Sequence, residues 1–285
     1  MIALTLNTPS NFDFHATVMS HGWYQLAPNT YHQDTHILER PYLLTNDKPV
    51  KLMIQSGRSH LLIITVIGQA IISSVDRYSI LRAIEAMFNL NQGLTPFYQR
   101  MSATEGYEWV TERKCARLLA SPTIWEDLAK TLLTTNTSWG NTVKMTAQLS
   151  AIDPHHIFPS PQMIVSLSED EFAEVVGAGY RAAYLYQAAQ RIVSGDVNLA
   201  TWHSLDSDAL YRAITDLKGF GDYSAGTLMR LMGHFDRLAI DTVARKAYEQ
   251  VTGTPPEKDA DIRDYYEKFG NWRGLVLWMD CIRDE

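Results

Sequence analysis

One aspartate stands at the start of a helix, where its carboxylate can do chemistry. Asp241 follows the short apolar run Leu238-Ala239-Ile240 and precedes Thr242-Val243-Ala244-Arg245, which begins a helix. Its first role there is an N-cap. The helix N-terminus also holds such a carboxylate ionised. An ionised carboxylate can face a developing cation, as forms on a sugar when a glycosidic bond breaks. It can also orient or deprotonate an attacking water. One helix upstream lies Leu217-Lys218-Gly219-Phe220-Gly221-Asp222-Tyr223-Ser224-Ala225. Leu210 and Ile214 line the amphipathic helix before it, and Ala225, Leu228 and Met229 the one after it. A Gly-x-Gly between helices permits a tight turn with positive φ and leaves backbone N–H groups bare at the next helix start. Such groups suit a phosphate oxygen and grip a nucleic-acid backbone without reading its sequence. A plain helix connection ended by a glycine cap fits the same residues.

The elements that must position these groups are readable from periodicity. Pro41–Leu44, Val50–Gln55 and Leu61–Ile67 are rich in β-branched and apolar residues and are separated by Asn46-Asp47-Lys48-Pro49 and Ser56-Gly57-Arg58. They predict strands, the last two joined as an antiparallel hairpin. The segment from Phe12 to Asn29 reads as strand with an irregular bend. From Asp76 onward the period becomes 3.6. Asp76 is expected to cap one helix, and Thr123 another, with Glu126 completing a capping box. Further helices are expected over 142–151, 168–176, 182–194, 207–216, 223–232, 242–251, 258–269 and 272–283. The expected fold is mainly α with a small N-terminal antiparallel β-sheet domain (α+β). Residues 1–100 would form the sheet domain with a flanking helix, and 101–285 a helical body.

Composition narrows the function classes. The chain has 285 residues, 46% of them hydrophobic, and no apolar run long enough to span a bilayer. No signal peptide is apparent, so a cytoplasmic location is expected, or a nuclear one in a eukaryote. Cys115 and Cys281 are too few for a metal or iron–sulfur cluster. His32 and His36 lack an evident third ligand, so no catalytic metal is expected. The net charge of −7 counts against a nucleic-acid binder, although Lys218, Arg230, Arg245 and Lys246 cluster near the Gly-x-Gly turn. Taken alone, those four residues read as a solvated helix face.

Taken together, the turn, the helix after it and the capping Asp241 resemble the helix-hairpin-helix superfamily of DNA glycosylases. Trp125-Glu126-Asp127-Leu128-Ala129-Lys130-Thr131-Leu132-Leu133-Thr134-Thr135-Asn136-Thr137-Ser138 resembles the helix and Asn-bearing loop that meets the unpaired partner base. Phe158-Pro159-Ser160-Pro161 and Gly177-Ala178-Gly179-Tyr180-Arg181-Ala182-Ala183-Tyr184 resemble 8-oxoguanine glycosylases. The N-terminal segment with Phe12-Asp13-Phe14 is similar to that group and to bacterial 3-methyladenine glycosylase II. The resemblance covers most of the chain and implies a helix-hairpin-helix glycosylase fold.

The resemblance also implies roles. Asp241 would be the catalytic carboxylate. Tyr223 stands where bifunctional members carry a Schiff-base lysine, so a monofunctional enzyme without lyase activity is expected. Gly219, Gly221 and Ser224 would offer N–H groups to phosphate, and a non-catalytic Na⁺ or K⁺ on main-chain carbonyls there is in keeping with the family. No other cofactor is implied. Asp222 is out of character beside a phosphate. Asn136, Tyr180 and Arg181 would fill the gap left by an extruded base. His21, Trp23 and Tyr24 would form one wall of the base pocket, with Trp272 and Trp278 adding aromatic surface. The aromatic that 8-oxoguanine enzymes carry beyond the last helix is not expected in a chain ending at Glu285. The partner implied is double-stranded DNA bearing a damaged base, bound by a monomer. An aromatic pocket suits alkylated purines. The alternatives are an oxidised-purine glycosylase and a non-catalytic damage-binding protein.

Overall fold

The computed structural model describes residues 1–68 and 71–284. The chain runs β1 (Ile2–Asn7), α1 (Phe14–Val18), β2 (Thr30–His32), β3 (Ile37–Leu43), β4 (Pro49–Ser56), β5 (Leu61–Ile67) and α2 (Ser74–Met87). Then follow α3 (Thr95–Ser102), α4 (Glu108–Arg113), α5 (Ile124–Thr134), α6 (Trp139–Ser150), α7 (Pro161–Val165), α8 (Glu169–Val176) and α9 (Tyr180–Val193). The last elements are α10 (Ser207–Thr215), α11 (Asp222–Leu231), α12 (Thr242–Thr252), α13 (Asp259–Glu267) and α14 (Arg273–Cys281).

The sheet is antiparallel, in the order β1-β5-β4-β3-β2. The alternation in β4 and β5 places Val50, Leu52 and Ile54 beside Leu62, Ile64 and Val66 on one buried face. That face packs on α2 through Ile80, Ile84 and Met87 and on Phe14 and Val18 of α1. A second core lies among α5 to α11, around Leu128, Leu132, Leu185 and Leu228. A third joins α3, α13 and α14.

Several expectations shift. The stretch 12–29 is not strand: Asp13 caps α1, and Gly22–Gln25 is a 3-10 turn. Capping by Asp13 Oδ1 on the Ala16 N–H, at 2.8 Å, turns the chain inward before a strand can extend. Ser73, not Asp76, caps α2, and Asp76 is the N3 half of that box. Thr123 caps α5 as expected, but the Glu126 side chain leaves the cap for a buried ion cluster.

Candidate active site

The position of Asp241 is fixed by two close approaches. The segment 235–240 that leads to it runs between α11 and α14. A Cβ on Gly226 would lie 3.0 Å from the Leu238 carbonyl, and one on Gly274 would lie 2.1 Å from the Arg237 oxygen. The Gly274 N–H donates to Phe235 O at 2.7 Å. At the end of this clamped segment Asp241 Oδ1 accepts from the Ala244 N–H at 2.8 Å and caps α12. Oδ2 has no hydrogen-bond partner among the described residues. Half of the carboxylate is therefore spent on position, and half is open to a ligand.

Asp241 lines a cleft of about 690 Å³ together with Tyr223, His21, Trp23, Tyr24 and Trp278. One wall is the segment 19–25, held in three places. Trp23 Nε1 donates to Asp127 Oδ1 at 2.7 Å. Trp278 Nε1 donates to Ser20 O at 2.9 Å. Trp139 Nε1 donates to Gln25 Oε1 at 2.5 Å, its indole lying where a Cβ on Gly22 would be. Another wall is one face of α11: Tyr223, Thr227 and Arg230 recur at helical spacing, and all three line the cleft.

The charges in and under this cleft are set by burial. His21 Nε2 lies 2.6 Å from Leu119 O, and a carbonyl only accepts, so Nε2 carries the proton and Nδ1 is an acceptor. Burial, seconded by the charges of Arg230 and Lys130, lowers the His21 pKa from 6.5 to about 3, which keeps the ring neutral. Burial also raises the Tyr223 phenol, helped by the Asp241 charge and opposed by Thr134. Under the wall, burial pushes Asp127 up to about 6 against the opposing Ser121 and Trp23 bonds. Next to it, burial would raise Glu126, but Arg40 and Lys130 outweigh it and hold Glu126 well below the usual carboxylate range. Arg40 of β3 and Lys130 of α5 both bond Glu126, at 2.5 and 2.7 Å, and Arg40 also reaches Asn29 Oδ1. This buried cluster ties the sheet to the helix that carries Asp127.

The candidate DNA-facing residues lie outside the cleft. Asn136 is exposed with φ 46°, and its Nδ2 donates to the Tyr180 hydroxyl at 3.4 Å. Tyr180 is half exposed, and the Arg181 guanidinium lies 4.7 Å from its ring. Arg181 is not a free donor. It is buried and donates to the carbonyls of Thr135 and Asn136, so it holds the loop rather than offering its fork outward. Between α10 and α11, Gly219 turns with φ 93° against Tyr184, which a Cβ would strike at 2.5 Å. Gly221 caps α11 without a side chain, and Ser224 in its first turn is buried. Asp222 accepts from the Tyr211 hydroxyl and sits 3.7 Å from Arg263. Lys218 lies over the Tyr184 ring at 5.0 Å and does not line the cleft. The turn's carbonyls at Asp216 and Leu217 accept from Arg191 and from the Phe220 N–H, leaving each a second lone pair.

One expected pocket residue falls elsewhere. Trp272 stacks on Phe235 at 5.4 Å and packs on Phe97 at 5.2 Å, in the core under α3. It precedes α14, and Trp278 lies six residues on, a spacing that puts the two indoles on different faces. Among the described residues, no group of three or more His, Cys, Asp or Glu could hold a metal ion. No helix among them is long and apolar enough to cross a membrane. Sequence reading left out Arg230 as a cleft residue, although the Tyr223-Thr227-Arg230 spacing would have found it.

No protein-family model matches the chain, and no curated protein does. Solved structures do. An 8-oxoguanine glycosylase/lyase from Clostridium acetobutylicum superposes with a TM-score of 0.74 at 18% identity, over 98% of this chain and 95% of that one. The 3-methyladenine DNA-glycosylase from Archaeoglobus fulgidus gives 0.75 at 14% identity, over 97% and 98%. The chain has the DNA-glycosylase fold. The Clostridium protein is also known in complex with double-stranded DNA containing cytosine opposite 8-oxoguanine, and that form superposes at 0.73 and 19% identity, over 95% and 91%. The two proteins come one from each of the two groups that the sequence resembles.

Proposed function

We propose that the protein is a monofunctional DNA glycosylase. It binds double-stranded DNA as a monomer and hydrolyses the N-glycosidic bond of a damaged base extruded into the cleft. The observation that carries this reading is the pairing of Asp241 and Tyr223 in one aromatic-walled cleft. A carboxylate with one oxygen unspent suits a developing oxocarbenium ion and an incoming water. A phenol cannot form an imine with the opened sugar, and no lysine lines the cleft among the described residues. Base release should therefore leave an abasic site uncut. Asn136 and Tyr180 would occupy the gap in the duplex, with Arg181 positioning their loop. The N–H groups of Gly219, Gly221 and Ser224 would meet the backbone, with a monovalent cation on the turn. Whether alkylated or oxidised bases are taken depends on the charge that the cleft offers them.

The test uses duplexes carrying 7-methylguanine, ethenoadenine, hypoxanthine, uracil or 8-oxoguanine, assayed before and after alkali. Strand cleavage only after alkali is expected. Asp241→Asn should lower release by about 10³-fold or more while leaving duplex binding intact. An Asn variant with full activity would falsify the assignment. Cleavage without alkali would overturn the monofunctional chemistry, and no release from any lesion would leave a non-catalytic damage binder.

A further inference from the structure

The cleft holds one charged side chain for which the hydrolysis proposed above has no role. Arg230 is 6% exposed and lines the cleft two helical turns after Tyr223. Among the described residues no carboxylate forms an ion pair with it, and no oxygen or nitrogen accepts a hydrogen bond from it. Its Nε is buried without a partner. Burying a guanidinium costs free energy that a folded protein ordinarily offsets with a carboxylate. Here the Trp278 ring, 4.5 Å from the cation, steadies the charge but takes no hydrogen bond from Nε. The guanidinium lies in the fields of Cys281, Tyr223 and Asp241. His21 approaches the same indole edge-on at 6.3 Å, its Nδ1 an acceptor without a partner among the described residues. A buried cation with an unpartnered Nε and an imidazole acceptor thus meet at one aromatic ring, close enough for the Arg230 charge to act on His21.

We propose that Arg230 and His21 read the lactam edge of a neutral, oxo-bearing base, such as hypoxanthine or 8-oxoguanine, and that Arg230 stabilises that base as it departs. The proposal rests on the glycosylase reading above. A lactam sets a carbonyl oxygen beside an N–H, which matches a cationic donor next to a neutral imidazole acceptor. When the C1′–N bond breaks, both electrons leave with the base. A neutral base departs as an anion whose charge spreads onto its carbonyl oxygen, and Arg230 is preorganised to meet it. Asp241 faces the cationic sugar at the other end of the same bond. The water oxygen then bonds C1′, and one of its protons ends on the departed base, so the products are a neutral base and an abasic site. A cationic base such as 7-methylguanine departs neutral and gains nothing from Arg230. Its charge also meets a like charge on entry. The aromatic surface of Trp278 therefore does not make this a site for cationic alkylated purines, because the guanidinium already lies against that ring.

The experiment is single-turnover base release from duplexes bearing hypoxanthine, 8-oxoguanine or 7-methylguanine, by the wild type, Arg230→Met and Arg230→Lys. The Met variant should lose about 10²-fold on the best neutral lesion, the loss expected when one preorganised donor is removed. The ratio of neutral-base to 7-methylguanine release should fall at least about tenfold, and the Lys variant should recover part of it. Circular dichroism and thermal melting check folding, and the Lys variant reports the same ratio if the Met variant does not fold. Parallel losses on all lesions, or a wild-type preference for 7-methylguanine that Arg230→Met leaves in place, would overturn the proposal and leave the glycosylase reading standing. No release of any base by the wild type would overturn that reading itself.

Discussion

His21 shows how one buried side chain can set the acid tolerance of the folded chain. Its Nε2–H is committed to Leu119 O, and burial keeps the ring neutral down to about pH 3. The unfolded chain takes up this proton near 6.5, and the folded chain refuses it. The stability that follows is fully present above 6.5 and is lost as pH falls from 6.5 toward 3, by at most about 1.4 kcal/mol per pH unit. Asp127 works in the opposite sense, because its raised pKa removes stability as pH climbs through about 6. The difference between wild type and His21→Gln isolates the histidine, since both proteins keep Asp127. Urea midpoints measured from pH 7.5 to 4.5 should fall more steeply for the wild type than for the variant. Parallel curves would mean that the ring is protonated in the folded protein.

The elements around the cleft are held together by buried charge as well as by packing. Arg40, Glu126 and Lys130 join β3 to α5, and Asp127 on the next residue holds Trp23 in the cleft wall. Glu126→Gln would leave Arg40 and Lys130 buried without their counter-charge, a change that typically costs about 3–5 kcal/mol. The variant should unfold at lower denaturant and, if the cleft takes a base from duplex DNA as proposed, bind a lesion-bearing duplex more weakly, because the wall carrying His21 and Trp23 loosens with it. An apolar replacement of all three residues should recover most of the stability, and a Gln variant as stable as the wild type would remove the cluster from this role. In the sequence, this helix announced its cap at Thr123 and its apolar face, but not the fate of Glu126. A capping box and a buried salt bridge use the same residue types, and only the sheet packed on the helix decides between them. β3, β4 and β5 were readable because alternation and turn residues coincide there. β1 was not, since Ile2–Asn7 becomes a strand only by pairing with β5, 54 or more positions away along the chain. The stretch 12–29 was misread because its apolar residues suit a strand, while the cap at Asp13 and the tie from Trp23 to Asp127 decide otherwise.

On the scale of the whole molecule, the candidate site was partly open to sequence reading. Asp241 was legible as a helix cap, which is a local signal, whereas Tyr223 was singled out only through the family resemblance. Trp272 and Arg181 were misassigned because type and spacing do not say which way a side chain faces. Arg230 was overlooked because a charged residue on an amphipathic helix is usually solvated. The net charge of −7 poses a separate problem for a protein proposed to bind DNA, a polyanion. The structure bears on it at Asp222, which lies in the first turn of α11 beside the N–H groups proposed to meet phosphate. Its carboxylate is turned to Tyr211 and to Arg263, so its charge is drawn off the turn but remains within a Debye length of any phosphate held there. Asp222→Asn should therefore tighten binding to a duplex containing an abasic-site analogue by about three- to tenfold at 50 mM salt. The gain should shrink toward nothing as salt rises and screens the exposed charge. Fluorescence anisotropy across a salt series reads both effects. An unchanged affinity at low salt would place the backbone away from this turn, and the phosphate contacts would then have to be sought along the loop of Asn136 and Tyr180.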